Sequence, residues 1–207
     1  MALNTFVKIS HVNNLSDARY CAGMGVDLMG FNTDRDTPDF IRPEKFAEIA
    51  EWISGVEFVA EFETDNFQKI NDIISRYPVQ YVQYTHPELA NAILSLGYEP
   101  IFKTKLPAYQ DLPEMMETLR YLNDKANYII LDEIADFSDP ETKKIIHHIS
   151  KEIPVMLGGN ITKSNIDAIQ KEFNIQGISL PGGNEIKPGF KNFDELADVL
   201  EKIEVDD

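Results

Sequence analysis

What most constrains this chain is an alternation that runs its whole length: eight short apolar stretches, each followed by a longer segment with apolar residues every three or four positions. The short stretches are 5–10, 27–32, 56–63, 81–85, 99–104, 128–132, 154–158 and 177–180. They are too brief for helices and rich in β-branched and aromatic residues, so they read as strands. Between them the spacing predicts helices over 15–24, 42–54, 66–76, 87–96, 112–125, 140–150, 163–173 and 193–203. The segment 42–54 is the clearest, with Phe46, Ile49, Ala50 and Ile53 on one stripe and Pro43 near its first turn. Asp65, Asp111, Asp139, Thr162 or Ser164, and Asn192 stand where side chains cap the helices that follow them. Eight such repeats in 207 residues, uninterrupted by a Ser/Pro-rich linker, fit one domain over 1–207, a closed (β/α)8 TIM barrel near its lower size limit. An open doubly wound sheet shares the alternation. The count of eight, and the glycine pair that ends each of the last two strands, favour the barrel.

With 43% hydrophobic residues the chain can bury a substantial core. Its 35 acidic and 19 basic side chains leave a formal charge of −16. Such a field repels phosphate polymers and anionic bilayers, which argues against nucleic acid or a membrane surface as partner. Any anion site must then rest on local backbone N–H groups and a few fixed cations. The single cysteine, Cys21, excludes an intramolecular disulfide and, within A-R-Y-C-A-G-M-G, reads as a buried helix thiol. The opening M-A-L-N-T-F-V-K lacks the basic and long apolar parts of a secretory signal, and no run approaches the roughly 18 apolar residues of a membrane span. A cytoplasmic protein is expected, as monomer or homodimer.

Strand seven ends L-G-G-N-I-T-K-S-N and strand eight ends S-L-P-G-G-N-E, so Gly158 with Gly159, and Gly182 with Gly183, fall at matched positions in adjacent repeats. In barrels the loops after strands seven and eight commonly cradle phosphate, because glycine lets bare backbone N–H groups approach an oxyanion. Each pair also serves simply as a tight turn. Asn160 and Asn184, directly after the pairs, can add donors or act as ordinary turn residues.

Catalytic groups of such barrels sit at the C-terminal ends of strands. Those ends present Ser10 and His11, Asn32, Glu61 and Glu63, Gln83 and Thr85, Lys103 and Lys105, and Asp132 with Glu133. Asp132 follows the apolar run Y-I-I-L and so stands at the rim of a dry core, a setting that suits a general acid as well as a simple loop cap. Ser10 is a poor base without an activating partner. His11 is chemically suited, but strand alternation turns its side chain away from the face that Ser10 shares. His86, His147 and His148 fall at or on helices, and no metal-ligand spacing is present, so no metal is expected.

The ordered stretches V-K-I-S-H-V-N-N-L-S-D-A-R, T-P-D-F-I-R-P-E, V-Q-Y-T-H, Y-I-I-L-D, L-G-G-N-I-T-K-S-N-I and G-I-S-L-P-G-G-N-E-I-K-P-G-F-K together resemble the phosphoribosylanthranilate isomerase family. The resemblance covers essentially the whole chain. It implies a (β/α)8 barrel of tryptophan biosynthesis that turns an aminoaldose phosphate into an aminoketose phosphate by an Amadori-type rearrangement, without metal, cofactor or covalent step. A general acid opens the ribose ring and a general base takes the C2 proton. By this resemblance Asp132 is the acid and Gly158, Gly159, Gly182 and Gly183 bind phosphate.

Other positions depart from the family's pattern. Its first strand ends Lys-Ile-Cys-Gly, with the cysteine as base; Ser10 and His11 stand there instead. A thiol near pKa ~8.5 yields a base at neutral pH far more readily than a hydroxyl does. Asp39 replaces an arginine that holds the anthranilate carboxylate, Gln83 alone is in register after strand four, and the glycine-rich lid after strand six has become E-I-A-D-F-S-D-P-E. The expectation is an isomerase-like barrel that binds a small phosphorylated metabolite, with weak or lost activity on the usual substrate. Alternatives are a non-catalytic phosphometabolite-binding or regulatory protein on the same barrel, and an isomerase whose substrate Asp39 has changed.

Overall fold

A computed structural model describes residues 2–37, 39–182, 184–187, 190–192 and 194–205. The principal strands are β1 (Phe6–Ser10), β2 (Leu28–Asn32), β3 (Glu57–Glu61), β4 (Tyr81–Tyr84), β5 (Glu99–Lys105), β6 (Tyr128–Ile134), β7 (Met156–Gly159) and β8 (Gly177–Pro181). Each pairs in parallel with the next, and β1 pairs with β8 from Phe6↔Gly177 to Ser10↔Pro181. The sheet therefore closes into an eight-stranded barrel, which decides against the open doubly wound alternative. The described helices are α1 (Leu15–Gly23), α2 (Pro43–Ala50), α3 (Phe67–Ile74), α4 (Ala90–Ser95), α5 (Leu112–Asn123), α6 (Pro140–Ser150), α7 (Ile166–Glu172) and α8 (Asp194–Lys202). None is long and apolar enough to cross a membrane.

Alternation along the strands divides the apolar residues into two compartments. Outward-facing Val7, Ile9, Met29, Phe31, Ala60, Val82, Leu131 and Leu157 pack under the helices in one continuous core, where Cys21 is also buried. Phe46 anchors α2 in that layer through edge-on contacts with Phe31, Phe58 and Tyr77. Inward-facing Leu28, Val59, Ile101, Ile130 and Met156 fill the lower barrel, and the rings of Phe6, Tyr81 and Tyr128 close its N-terminal end. Both faces of each strand are thus dry over most of its length, which is why the strands read as nearly unbroken apolar runs.

The helices differ from expectation mainly at their ends. Helix α2 stops at Ala50, leaving Trp52 outside it and 69% exposed. A 3-10 turn, Pro87–Leu89, precedes α4. Helix α7 starts at Ile166 because Asn165 Oδ1 accepts from Thr162 N–H at 2.7 Å, closing a turn where a first helical turn was expected. Asn66 rather than Asp65 caps α3, and Asp111 makes no capping bond. Asn192 lies in a short strand, Phe190–Asn192, that pairs antiparallel with Asn184–Lys187 between β8 and α8. A second ribbon joins Ala2–Leu3 to Glu204–Val205.

Asp139 caps α6 as its sequence position implies, its carboxylate accepting from Thr142 N–H at 2.7 Å. Asp139→Ala is expected to cost about 1 kcal/mol and to lower Tm by about 2–4 °C in a thermal melt, the scale for a lost N-cap in a chain of this size.

Candidate functional site

The upper barrel is polar where the lower barrel is apolar. Lys8 and Ser10 of β1, Glu61 of β3, Lys103 of β5 and Asp132 of β6 occupy alternate, inward positions of their strands. Lys8 is wholly buried, and its Nζ donates to Ser10 Oγ at 2.6 Å and to Glu61 Oε1 at 2.5 Å. The other carboxylate oxygen of Glu61 accepts from the backbone N–H of His11 at 3.0 Å. Room for the pair comes from Gly30 in the middle of β2, where a Cβ would overlap Glu61 Oε1 and Lys8 Nζ. Burial pushes the Glu61 carboxyl up, but the Lys8 ammonium and His11 beside it outweigh that and hold it at about 2. Burial draws Lys8 down, opposed chiefly by Glu61. Asp132 and Lys103 also act on Lys8, so the groups share one electrostatic neighbourhood.

His11 and Glu133 have φ of 57° and 56°, and no other described non-glycine residue has positive φ. Each directly follows a candidate catalytic residue, Ser10 or Asp132. This left-handed backbone is strained for a side chain, and such strain concentrates at functional sites. It also corrects the sequence expectation for His11: the turn breaks strand alternation and brings its ring beside the inward-facing Glu61 carboxylate. There Nε2 lies 3.7 Å from Glu61 Oε2, and Nδ1 lies 4.0 Å from Asp39 Oδ2 on the loop after β2.

Asp132 Oδ2 lies 3.7 Å from Lys103 Nζ, and its side chain is 24% exposed. Its Oδ1 occupies the space that a Cβ at position 158 would need. Gly158 is thus glycine because it makes room for Asp132, a reason other than the phosphate contact expected of it. Gly159, at φ 125°, passes against the backbone of Ile134 in the neighbouring strand. The expectation of bare N–H groups is corrected at Gly182 and at the two residues after Gly159. Asn160 N–H donates to Ile134 O at 2.8 Å, Ile161 N–H to Gly159 O at 2.8 Å, and Gly182 N–H to Ser10 O at 2.7 Å. The side-chain amide of Asn160 donates to Ala135 O at 3.3 Å.

The C-terminal end of the barrel is divided into two clefts. One, about 390 Å³, lies between the loops after β7 and β8 and helix α8, and includes Gly159, Asn160, Lys163, Ser164, Gly182 and Glu195. Its cation, Lys163, pairs with Asp198 at 2.6 Å. The other, about 360 Å³, is lined by Glu63, Thr85, Lys103, Lys105, Asp132 and Glu133. The candidate residues therefore gather at one end of the barrel and, among the described residues, line separate clefts. Ser10 and Gln83 are buried below the rim, and Gln83 Oε1 has no hydrogen-bond partner among the described residues. Asn184 places its backbone in the hairpin strand, and Gly183 lies outside the described residues. Among the described residues no group of three or more His, Cys, Asp or Glu is arranged to hold a metal ion.

Lys8 and the role of Glu61 went unrecognised in the sequence. Two signals were available: a single charge in the middle of F-V-K-I-S, and a glycine in the middle of L-M-G-F-N, where a strand interior ordinarily carries a packing side chain.

No family model matches the chain. Among curated proteins it is 24% identical over 204 residues to the N-(5'-phosphoribosyl)anthranilate isomerase of Aquifex aeolicus, covering 95% of this chain and 97% of that one. It is 23% identical over 201 residues to the tryptophan biosynthesis protein TrpCF of Helicobacter pylori, covering 91% of this chain but 42% of the relative, so it spans less than half of that protein. Among solved structures, phosphoribosylanthranilate isomerase from Thermotoga maritima superposes with a TM-score of 0.78 at 21% identity, covering 96% of this chain and 98% of the other. An isomerase of the same name, solved with reduced 1-(o-carboxyphenylamino)-1-deoxyribulose 5-phosphate, superposes equally well, with the same TM-score, identity and coverage.

Proposed function

Because the chain belongs, as a diverged member, to the phosphoribosylanthranilate isomerase family, we propose that it binds a small phosphorylated aminosugar at the C-terminal end of its barrel and carries out an Amadori-type isomerisation. The observation that carries this reading is Asp132, which stands at the end of β6 over the clearance left by Gly158, with Lys103 beside it. There it can deliver a proton to the ring oxygen of a ribose, opening it to the iminium. The phosphate goes to the cleft beside Gly159 and Gly182, where the Lys163 ammonium and the hydroxyls of Thr162 and Ser164 are donors among the described residues. The 5-phosphate ligand bound by a structural relative supports a ligand of this class.

Turnover of phosphoribosylanthranilate itself is weak in this reading, for two reasons. Ser10 Oγ already accepts a hydrogen bond from Lys8, so its hydroxyl is set to donate a proton rather than take one. Asp39 brings a negative charge to the loop that would face the substrate carboxylate.

The test is steady-state turnover of phosphoribosylanthranilate alongside calorimetry with the reduced product analogue. The analogue should bind, turnover should be slow, and Asp132→Asn should lower kcat by a further factor of about 10²–10⁴ with little change in Kd. A rate equal to that of an orthodox member would refute the weakened activity. Failure of the analogue to bind would refute the reading as a whole.

A further inference from the structure

We infer that His11 is the proton acceptor of this site, oriented by the carboxylates of Glu61 and Asp39, and that the buried Lys8 is what fixes Glu61 in place. The inference rests on the isomerase reading above and supplies the group which that reading leaves open.

Four observations converge on it. Ser10 occupies the position where a base would stand, but its oxygen is engaged by an ammonium group, which disfavours removal of a proton by that oxygen. The neighbouring His11 holds a left-handed backbone that a side chain adopts only when its surroundings impose it. What imposes it is visible, since Glu61 Oε2 accepts from the His11 backbone N–H at 3.0 Å while Glu61 Oε1 is held by Lys8 at 2.5 Å. Finally, the ring so placed has a carboxylate on each side, Glu61 at 3.7 Å from Nε2 and Asp39 at 4.0 Å from Nδ1. Both distances exceed a hydrogen bond, as is common for catalytic pairs before substrate tightens them. Glu61, the nearer and buried carboxylate, fixes the tautomer at Nε2 and stabilises the imidazolium that forms when Nδ1, whose neighbour Asp39 is partly exposed and 4.0 Å away, takes a proton. The ring is 34% exposed, so a ligand in the mouth can reach it.

The step balances without any added reagent. Once Asp132 has protonated the ring oxygen and the ribose has opened to the iminium, a His11 ring nitrogen takes the proton from C2. The C2–H electron pair becomes the C1–C2 double bond, the iminium π pair returns to nitrogen, and the resulting enolamine tautomerises to the aminoketose. Lys8, Ser10 and Glu61 change no bond. Glu61 and Lys8 are positioning residues.

Removing the ring without removing the fold is feasible because glycine is at ease at φ 57°. His11→Gly should melt no lower than the parent. Its kcat, with phosphoribosylanthranilate or the analogue lacking the anthranilate carboxylate, should fall by about 10²–10⁴, with Kd for the reduced product analogue within about twofold. Added imidazole should restore turnover in His11→Gly but not in Asp132→Asn, which a purely structural role for His11 would not produce. In the joint variant Lys8→Met with Glu61→Leu, which leaves no buried charge unpaired, kcat should fall while Kd holds, and imidazole should give no rescue because His11 is still present.

Undiminished turnover by His11→Gly, or a loss that imidazole leaves untouched, would overturn the inference. Failure of the underlying reading shows elsewhere: the parent protein itself would turn over neither substrate and would not bind the product analogue, and the inference would fall with it.

Discussion

Glu61→Gln is expected to destabilise the fold by about 3–5 kcal/mol, the range for breaking one half of a buried ion pair. The cost comes from Lys8, which is wholly buried and would lose the carboxylate that justifies its charge. Urea denaturation at neutral pH reads the effect directly. Lys8→Met combined with Glu61→Leu should recover most of the loss, since a well-packed apolar replacement of a buried pair is commonly neutral or stabilising. The pH dependence has a definite sign. The Glu61 carboxyl is lowered from 4.5 to about 2 in the folded protein, so its contribution is complete above the unfolded value and fades as pH falls towards the folded one. The stability gap between the parent and Glu61→Gln should therefore narrow between pH 4.5 and about 2. A gap under about 1 kcal/mol at pH 7 would show that the pair does not hold this site together.

Gly159→Ala is the second large effect. Its φ of 125° is costly for any side chain, and the new Cβ would fall on the backbone N and O of Ile134, atoms of a barrel strand that cannot swing aside. A loss of about 3 kcal/mol or more is expected, which for a chain of this size lowers Tm by about 6–12 °C. Gly55→Ala is the control, because Gly55 also has positive φ, 79°, but a Cβ there would meet nothing within 4 Å among the described residues. It should cost about 1 kcal/mol, from backbone strain alone. Equal losses at the two positions would show that the approach to Ile134 is not what makes position 159 glycine.

The strands were legible in the sequence because burial on both faces makes each a compact apolar run, and their number then pointed to closure. Helix ends were not, because they depend on local bonds such as Asn165 Oδ1 with Thr162 N–H, which several nearby polar residues could equally have made. Asp132 was legible as the first polar group after Y-I-I-L. Its relation to Gly158 was not, since the two meet only through the register of β6 and β7. The pairing of Lys8 with Glu61 escaped for the same reason: 53 residues separate them, and only the barrel brings them together. His11 was legible as a candidate, but the direction of its ring was not, because a left-handed backbone at a non-glycine residue leaves no trace in composition.

Seen along its axis, the barrel interior has a storey structure. Aromatic and aliphatic side chains occupy the ground level, and the ammonium of Lys8 with the carboxylate of Glu61 forms a ceiling over them. Side chains above that ceiling, at His11, Asp39, Lys103 or Glu133, can be exchanged without reaching the greasy packing beneath. A scaffold partitioned in this way tolerates experiments in substrate choice, because errors made upstairs do not bring down the foundations.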